Sequence, residues 1–231
     1  MKNCVLCFIK HPKSNNAKSR LAKEIGAQKA GALYSLMIED VLDVLQKVKA
    51  ETIIFYYQKK YLPEFEKRFG ADFKYIEQKG NNLGRKLNNA FKYVKEKYKK
   101  ILVVGSDVPA ISEKIINSAF KSLNSYDCVI GPSYDGGYYL IGFRDKKYTD
   151  KVFNRISWST DKVFSQTRDI LKNQKIKYAK VPKLTDIDNI ESLRNFYRRV
   201  KNKKLKSVEY IKKNLNKLIQ LKTIGGKNKQ L

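Results

Sequence analysis

Apolar residues follow two different spacings along the chain, and the alternation of these spacings predicts strands that take turns with helices. The continuous apolar segments CVLCFI (4–9), TIIFYY (52–57) and ILVV (101–104) are typical of strands buried on both faces. Between the first two, an apolar residue recurs every three or four positions, which predicts a helix over 28–49. Strands that alternate with helices pair in parallel, so we expect a three-layer α/β/α domain around a mostly parallel sheet.

The domain organisation follows from where this alternation stops. From Lys201 onward the chain becomes strongly basic and carries an apolar stripe from Val208 to Leu218 at helical spacing. We therefore predict a domain over 1–200 and a basic helical extension over 201–231, which packs on the domain, contacts a partner or touches a membrane surface. Within the domain, the patterns predict further strands at 73–78, 128–132, 138–143 and 177–181, and further helices at 63–69, 83–98, 115–123, 160–173 and 190–200.

The charge of the chain narrows the choice of ligand. Its 231 residues include 49 Lys and Arg against 22 Asp and Glu, a formal net charge of +27. The lysines are spread along the whole sequence and arginine is much rarer, whereas nucleic-acid readers usually rely on arginine forks with interleaved aromatic residues. We therefore favour a polyanionic small molecule such as a nucleotide over nucleic acid. No apolar segment is long enough to span a bilayer or serve as a signal peptide, which predicts a cytoplasmic protein.

The chain has three cysteines, and two of them, Cys4 and Cys7, have the spacing of a metal-binding or redox pair. In a strand, however, residues three positions apart point to opposite faces of the sheet. The chain also has a single histidine, His11, so a zinc site would have few ligands. We interpret the cysteines as buried structural residues.

Candidate binding residues follow the predicted strands, because ligands of open α/β sheets bind at the carboxyl ends of the strands. The loop after the first strand carries Lys10, Lys18 and Arg20 ahead of a helix, which suits phosphates, although a solvated lysine loop explains it equally well. After the third strand, Gly84 permits a close backbone approach and Arg85 is able to fork onto a phosphate. Taken alone, that segment is more simply a loop with a glycine turn.

Carboxylates that follow two later strands are candidates for a metal site. Asp107 follows the strand ILVV after Gly105 and Ser106, and Mg²⁺ or Mn²⁺ takes only one or two ligands from protein when phosphates supply the rest. Capping of the next helix is the alternative role of Asp107, but Ser112 fits that role better. Asp188 has the spacing of a helix cap, which leaves Asp186 as the second metal ligand.

The segment GPSYDGGYYLIGF (131–143) supplies candidates for the acceptor side. Asp135 precedes two glycines and is a candidate general base or hydroxyl-binding residue, while a hairpin turn is the simpler alternative. Trp158, the one tryptophan, either stacks on a substrate or belongs to the core.

Six segments in this order resemble one known family. They are FIKHPKSNNAKSRL, QKGNNLGRKLNNAF, VGSDVPAIS, GPSYDGGYYLIGF, ISWST and LTDIDNIESL, which cover roughly the first 200 residues. The chain resembles the radical-SAM/selenodomain-associated transferase 1 family, also described as arsenosugar-biosynthesis-type glycosyltransferases. The resemblance implies the GT-A fold, a Rossmann-like nucleotide-diphospho-sugar transferase fold that also serves guanylyl- and cytidylyltransferases.

By this resemblance, Lys18 and Arg20 contact nucleotide phosphates, Asp107 binds the metal, and Asp135 with Gly136 and Gly137 lines the acceptor side. The chain departs from the family where a glycine commonly precedes the Lys-Thr-Arg-Leu segment, so we expect Asn15 or Asn16 to adopt the left-handed conformation. It also lacks an Asp-x-Asp pair, since Gly105 stands two residues before Asp107. The full candidate set is Lys10, Lys18, Arg20, Gly84, Arg85 and Ser106 for phosphates; Gly136, Gly137, Tyr138, Trp158 and Ser159 for the acceptor; Asp107 and Asp135 for catalysis; Asp107 and Asp186 for Mg²⁺ or Mn²⁺.

Three functional hypotheses follow. The first is a metal-dependent glycosyltransferase that moves a sugar from a nucleotide-diphospho-sugar to a small acceptor. The second is a nucleotidyltransferase, similar to 2-phospholactate guanylyltransferase, that joins a nucleoside triphosphate to a phosphorylated substrate and releases pyrophosphate. The third is a non-catalytic basic module for RNA or membrane, which would not depend on Asp107.

Overall fold

A computed structural model gives the architecture and describes residues 2–14, 17–144 and 147–220. One sheet of seven strands runs through this part of the chain in the order β3-β2-β1-β4-β6-β5-β7. Only β6 is antiparallel to its neighbours, β4 and β5. The strands are β1 (Lys2–Ile9), β2 (Glu51–Tyr56), β3 (Lys74–Glu77), β4 (Tyr98–Gly105), β5 (Cys128–Pro132), β6 (Tyr138–Arg144) and β7 (Tyr178–Lys180).

Helices cover both faces of the sheet, which confirms the predicted three-layer α/β/α fold. Helices α1, α2, α5, α7 and α8 pack on one face, and α4 and α6 pack on the other. The helices are α1 (Ser19–Ile25), α2 (Ala27–Leu45), α3 (Leu62–Phe69), α4 (Leu83–Val94), α5 (Glu113–Ser122), α6 (Val163–Asn173), α7 (Ile190–Val200), α8 (Lys206–Asn214) and α9 (Asn216–Gln220).

Three predicted helix boundaries are wrong. The helix expected over 28–49 ends at Leu45. Tyr98 was expected on the helix that follows residue 83, but α4 ends at Val94 and Tyr98 begins β4. The ring of Tyr98 is buried on the face of the sheet that α4 covers. Its apolar position therefore continues the helical spacing of α4 in the sequence. The helix expected from Thr160 begins three residues later, at Val163, because Thr160 forms a turn in which its hydroxyl donates to the carbonyl of Ser157 at 2.7 Å.

The cysteines are structural, as predicted. Cys4 and Cys7 lie on opposite faces of β1, each fully buried, and Cys128 is buried in β5. Burial, together with the smaller effect of the Asp107 charge, raises the pKa of Cys7 to about 12. These thiols therefore stay protonated and serve as small apolar side chains.

The described part of the basic extension, residues 201–220, packs against α2 through α8. Val208 and Ile211 of α8 are fully buried in the core, so the apolar stripe faces the protein and is not presented to a membrane surface. Asp40 of α2 accepts hydrogen bonds from the backbone amides of Lys206 and Ser207, at 2.8 and 3.0 Å. It thereby caps the first turn of α8. The predicted domain boundary at residue 200 stays a prediction. No helix among the described residues has the length and apolarity needed to cross a bilayer.

Candidate active site

A cleft opens at the carboxyl ends of β1 and β4, beside the β5–β6 turn, where the fold predicts a ligand site. It has two adjoining halves. The inner half encloses about 300 Å³ between largely apolar side chains, and the outer half encloses about 520 Å³ lined by charged ones. Lys18, Asp107 and Asp188 line both halves. The boundary between an apolar and a charged space is therefore formed by an ion-paired lysine.

Lys18 is the central cation of the cleft. Its side chain is only 6% exposed, and its Nζ lies 2.6 Å from Asp188 Oδ1 and 3.1 Å from Asp107 Oδ2. Its backbone is left-handed, with φ 53°, at the position that caps α1. Burial by itself lowers the pKa of Lys18, but the charges of Asp107 and Asp188 outweigh burial and raise it above its ordinary value. The lysine is thus a fixed positive charge held between two carboxylates.

The loop after β1 contains a residue in the left-handed conformation. It bears on the glycine that the family pattern has in this loop and this chain lacks. The residues expected to be left-handed, Asn15 and Asn16, lie outside the described residues. Lys18 itself takes that conformation three residues before Leu21. A left-handed non-glycine residue is strained, and such strain concentrates at functional sites.

Asp107 is positioned by the end of β4. A Cβ at Gly105 would come within 2.8 Å of Asp107 Oδ1, so a larger residue at 105 would shift the Asp107 carboxylate from its observed position. Ser112 caps α5 by accepting from the amide of Ile115, as predicted, so Asp107 has no capping role. Ser106 shares a hydrogen bond of 2.8 Å with the hydroxyl of Tyr34.

The segment 186–188 brings two more carboxylates to the cleft, and here one prediction is wrong. Asp188 was assigned to capping, but the cap of α7 is Asn189, whose Oδ1 accepts from the amide of Ser192 at 2.9 Å. The reciprocal bond runs from the amide of Asn189 to Ser192 Oγ, so the capping box lies one residue later. Asp188 is therefore available to pair with Lys18.

The carboxyl group of Asp186 has a strongly raised pKa. Burial raises the pKa of Asp186 to about 7, and the charges of Asp107, Asp135 and Asp188 raise it in the same direction. The segment is fixed to the end of β4 because the amide of Ile187 donates to the carbonyl of Asp107 at 3.0 Å. For Asp188, burial opposes ionisation, but Lys18 outweighs burial and lowers the pKa. Like charges are therefore crowded around Asp186 in the cleft.

The charge balance of the outer half is the reverse of that of the chain. Its lining includes five aspartates (107, 135, 161, 186 and 188) and three cations (Lys10, Lys18 and Arg20), in a protein with a net charge of +27. Among the described residues, no group of three or more His, Cys, Asp or Glu side chains forms a ready-made metal site. One or two carboxylates with phosphate oxygens are the usual ligands of Mg²⁺, and Asp107 with Asp186 fits that donor set.

Asp135, which was predicted to line an acceptor site, lies in the turn between β5 and β6. Its Oδ1 accepts from the amide of Gly137 at 2.8 Å and from the hydroxyl of Ser133. At Gly136, where φ is 91°, a Cβ would lie 2.2 Å from the carbonyl oxygen of Asp161. The turn is therefore packed tightly against the segment that precedes α6, and Asp135 has the hydrogen bonds of a turn residue.

The structure brings most of the predicted residues together, with exceptions. Gly137, Tyr138, Trp158 and Ser159 line the outer half, and Tyr138 lines the inner half as well. Gly84 instead makes room for Trp158, whose Nε1 would lie 2.8 Å from a Cβ at that position. Arg85 and Gly136 are not among the described residues that line either half.

Several cleft residues were missed by sequence reasoning, among them Tyr34, Asp161 and Gln78. Tyr34 was counted within a helix, Asp161 within a helix start, and Gln78 as the last residue of a strand. The side chain of Gln78 donates from Nε2 to the carbonyls of Ile9 and Phe55, at 3.1 and 2.8 Å. Its position at a strand end was the only signal available in the sequence.

The sheet order, the basic loop after β1 and the carboxylate after β4 define a protein of the nucleotide-diphospho-sugar transferase-like fold class. The crystal structure of a putative nucleotide-diphospho-sugar transferase from Desulfovibrio desulfuricans G20 superimposes with a TM-score of 0.89 and 31% identity, covering 95% of this chain and 97% of that one. The chain belongs to the family described as "Uncharacterized protein conserved in bacteria (DUF2064)", whose model matches residues 41–160.

Two archaeal relatives carry a more specific name. A 2-phospho-L-lactate guanylyltransferase of Methanocaldococcus infernus is 32% identical over 127 residues, which are 55% of this chain and 55% of that protein. A protein of the same name from Methanobrevibacter smithii is 29% identical over 125 residues, 54% of this chain and 55% of that protein. The matches thus span little more than half the length of these relatives.

Proposed function

We propose that this protein is a divalent-cation-dependent nucleotidyltransferase that joins GTP to a small phosphorylated molecule and releases pyrophosphate. The observation that carries the proposal is the excess of carboxylates around Lys18 in an otherwise basic protein. An anionic triphosphate enters such a cleft only when cations neutralise the carboxylates, and a divalent ion fits Asp107 and Asp186. The names of the relatives support guanylyl transfer to 2-phospho-L-lactate or a similar phosphorylated hydroxy acid.

The charges of the cleft residues determine the role that we propose for each of them. A Mg²⁺ or Mn²⁺ ion held by Asp107 and Asp186 would neutralise the charge that develops on the leaving pyrophosphate. Lys18, Arg20 and Lys10 line the outer half and supply the remaining positive charge for phosphate oxygens. Asp188 holds the ammonium of Lys18 in position. Most of the rate enhancement would come from positioning and charge neutralisation.

The proposed reaction needs no general base. A phosphate oxygen of the acceptor forms a bond to the α-phosphorus of GTP, the bond to the bridging α–β oxygen breaks, and pyrophosphate leaves with that oxygen. The attacking oxygen is already anionic, so no proton has to be removed. The hydrogen bonds of Asp135 to Gly137 and Ser133 agree with this scheme, because a carboxylate committed to a turn is a poor candidate base.

Glycosyl transfer is the second candidate, because a structure that is 31% identical and matches over 97% of its length is named a putative nucleotide-diphospho-sugar transferase. In that reaction Asp135 would take a proton from the acceptor hydroxyl. The radical-SAM-associated, arsenosugar-biosynthesis subfamily belongs with this candidate. Both candidates use the same cation and the same diphosphate contacts, so the substrate distinguishes them.

The purified protein with Mg²⁺, GTP and 2-phospho-L-lactate tests the proposal. We expect stoichiometric pyrophosphate and, by ³¹P NMR, two coupled signals of a new diphosphate (P–O–P) linkage between GMP and the acceptor. Asp107→Asn lowers the rate by at least about 100-fold, because an uncompensated transition-state charge costs that much or more. Asp169→Asn, an exposed aspartate on α6, is the matched control and leaves the rate unchanged. Consumption of a nucleotide sugar with release of its nucleoside diphosphate, without pyrophosphate from GTP, would establish the glycosyl candidate instead.

A further inference from the structure

The inner half of the cleft is suited to a nucleobase, given the proposed nucleotidyl transfer. Lys10 and Lys18 line both halves, but Arg20 and the Asp135, Asp161 and Asp186 carboxylates line only the outer one, so we place the phosphates and their cation there and the planar, largely apolar base in the adjoining inner half. Side chains from three parts of the fold form its apolar walls: Phe8 of β1, Leu83 and Leu87 of α4, and Tyr138 of β6. Two polar residues of this half, Tyr34 and Ser106, share a hydrogen bond with each other.

Gln78 is the polar side chain of the inner half whose orientation is fixed most firmly. Its Nε2 donates to the carbonyl of Ile9, the last residue of β1, and to the carbonyl of Phe55 in β2. Two carbonyl oxygens accept only from an N–H group, so the amide nitrogen must face them and the amide oxygen must face away. The two bonds use both hydrogens of the nitrogen. No donor among the described residues bonds to Oε1.

We propose that Gln78 determines the choice of base by accepting a hydrogen bond at Oε1 from the N–H edge of guanine. A fixed acceptor distinguishes the bases by the groups beside the donor that it contacts. Guanine presents N1–H and the exocyclic amino group side by side, so both groups near Oε1 are donors. Adenine and cytosine place a ring-nitrogen lone pair next to their amino group, and uracil flanks its single N–H with two carbonyls. Guanine therefore fits a lone, immobile acceptor best.

The alternative role of Gln78 is structural, since its two donated bonds join the ends of β1 and β2. A purely structural role predicts that substitution weakens the binding of every nucleotide to the same degree. A base-reading role predicts a change in the ratio of two affinities. The ratio of the Kd for ATP to the Kd for GTP, measured with Mn²⁺ by calorimetry, separates these roles.

Two substitutions remove the acceptor in different ways. Gln78→Met removes the donors and the acceptor, while Gln78→Lys keeps a donor for the carbonyls of Ile9 and Phe55 and removes only the acceptor. Lysine thus preserves the structural bonds if the methionine variant does not fold. Asn89→Leu is the matched control, because Asn89 is exposed, donates from its amide to the carbonyl of Lys79 at 2.8 Å and does not line the cleft.

We expect wild-type protein and Asn89→Leu to prefer GTP over ATP by about tenfold or more, the value of one good hydrogen bond. The Gln78 variants should bind both nucleotides within about threefold of each other. Equal binding of GTP and ATP by wild type, or an undiminished preference in a folded Gln78 variant, would overturn the role of Gln78 while nucleotidyl transfer stands. Failure of any nucleotide to bind would overturn both.

Discussion

The loop after β1 separates two cavities, and the smaller one has the features of an active site. On one side, a groove of about 1210 Å³ between α1, α2 and α3 is lined by basic residues and by small residues such as Gly31 and Ala32. Its one acidic side chain, Glu64, is paired with Lys13 at 2.9 Å and His11 at 3.3 Å. On the other side, the cleft holds five aspartates against three cations.

This difference indicates that the arrangement of charge, rather than the volume of the cavity, distinguishes a candidate active site. In the groove, burial lowers the pKa of His11, and the ring lies flat against Tyr61 with centroids 3.9 Å apart. The His11 ring is thus held by its stacking on Tyr61 and its contact with Glu64. In the cleft, like charges crowd around Asp186 and raise its pKa, which costs stability that a bound cation would restore. The loop presents Lys13 to the groove and Lys18 to the cleft, so the two lysines allow a direct comparison.

The largest expected effect comes from replacing those two lysines. Lys18→Met should lower kcat/KM for guanylyl transfer by at least about 100-fold, because it removes a phosphate contact and leaves Asp107 and Asp188 without their partner. Lys13→Met, whose side chain is 74% exposed, should change kcat/KM by less than about twofold. Steady-state kinetics on both variants test this. Equal losses in both would remove the distinction between groove and cleft.

The next effect is a pH dependence of stability that belongs to the cleft. Asp186 has a folded-state pKa near 7, raised above its ordinary 3.8, so the folded state binds a proton that the unfolded state releases. The contribution of Asp186 to the stability of the metal-free protein should therefore fall as the pH rises from about 4 to about 7, by about 2 kcal/mol after allowing for solvent screening, while His11, whose pKa is lowered, acts in the opposite direction within this range. The lowered pKa of Asp188 makes stability depend on pH only below about pH 4, which is outside this range.

Asp186→Asn tests that dependence, because it removes the titrating group while keeping its shape. Chemical denaturation at pH 5 and pH 8 should show a smaller loss of stability with rising pH in the variant than in wild type. Asp169→Asn is again the control and should behave as wild type. An identical pH profile for wild type and Asp186→Asn would mean that the cleft carboxylates are not crowded as described.

The smallest effect concerns a buried carboxylate with no part in the cleft. Asp40 accepts from the amides of Lys206 and Ser207 and from the hydroxyl of Ser207. Asp40→Asn should cost about 1 kcal/mol, the value of a helix cap, and leave catalysis unchanged. Denaturation and kinetics on one preparation measure both quantities. A loss of activity without a loss of stability would contradict the purely structural role of Asp40.

The parts of this protein that the sequence predicted are those fixed by local pattern. Helix α7 was predicted at its observed bounds, and the faces of Cys4 and Cys7 followed from strand periodicity. The basic loop and Asp107 were located because ligands bind where parallel strands end.

The parts that it could not predict depend on distant contacts. Lys18 pairs with residues 89 and 170 positions away, and no local pattern carries that information. The capping box was placed one residue early because Asp188 and Asn189 are both good cap residues, and the pairing with Lys18 decided between them. Gln78 was missed for the same reason, since its partners Ile9 and Phe55 lie on other strands.

Calorimetric titration of GTP into the protein, once with Mn²⁺ and once with EDTA, tests the central claim most directly. That claim is that carboxylates around Lys18 accept a cation together with a triphosphate. We predict binding that is at least about tenfold tighter with Mn²⁺ in wild type, since the ion offsets several neighbouring charges, and no such gain in Asp107→Asn. Equal affinity with Mn²⁺ and with EDTA, or an undiminished gain in Asp107→Asn, would contradict it.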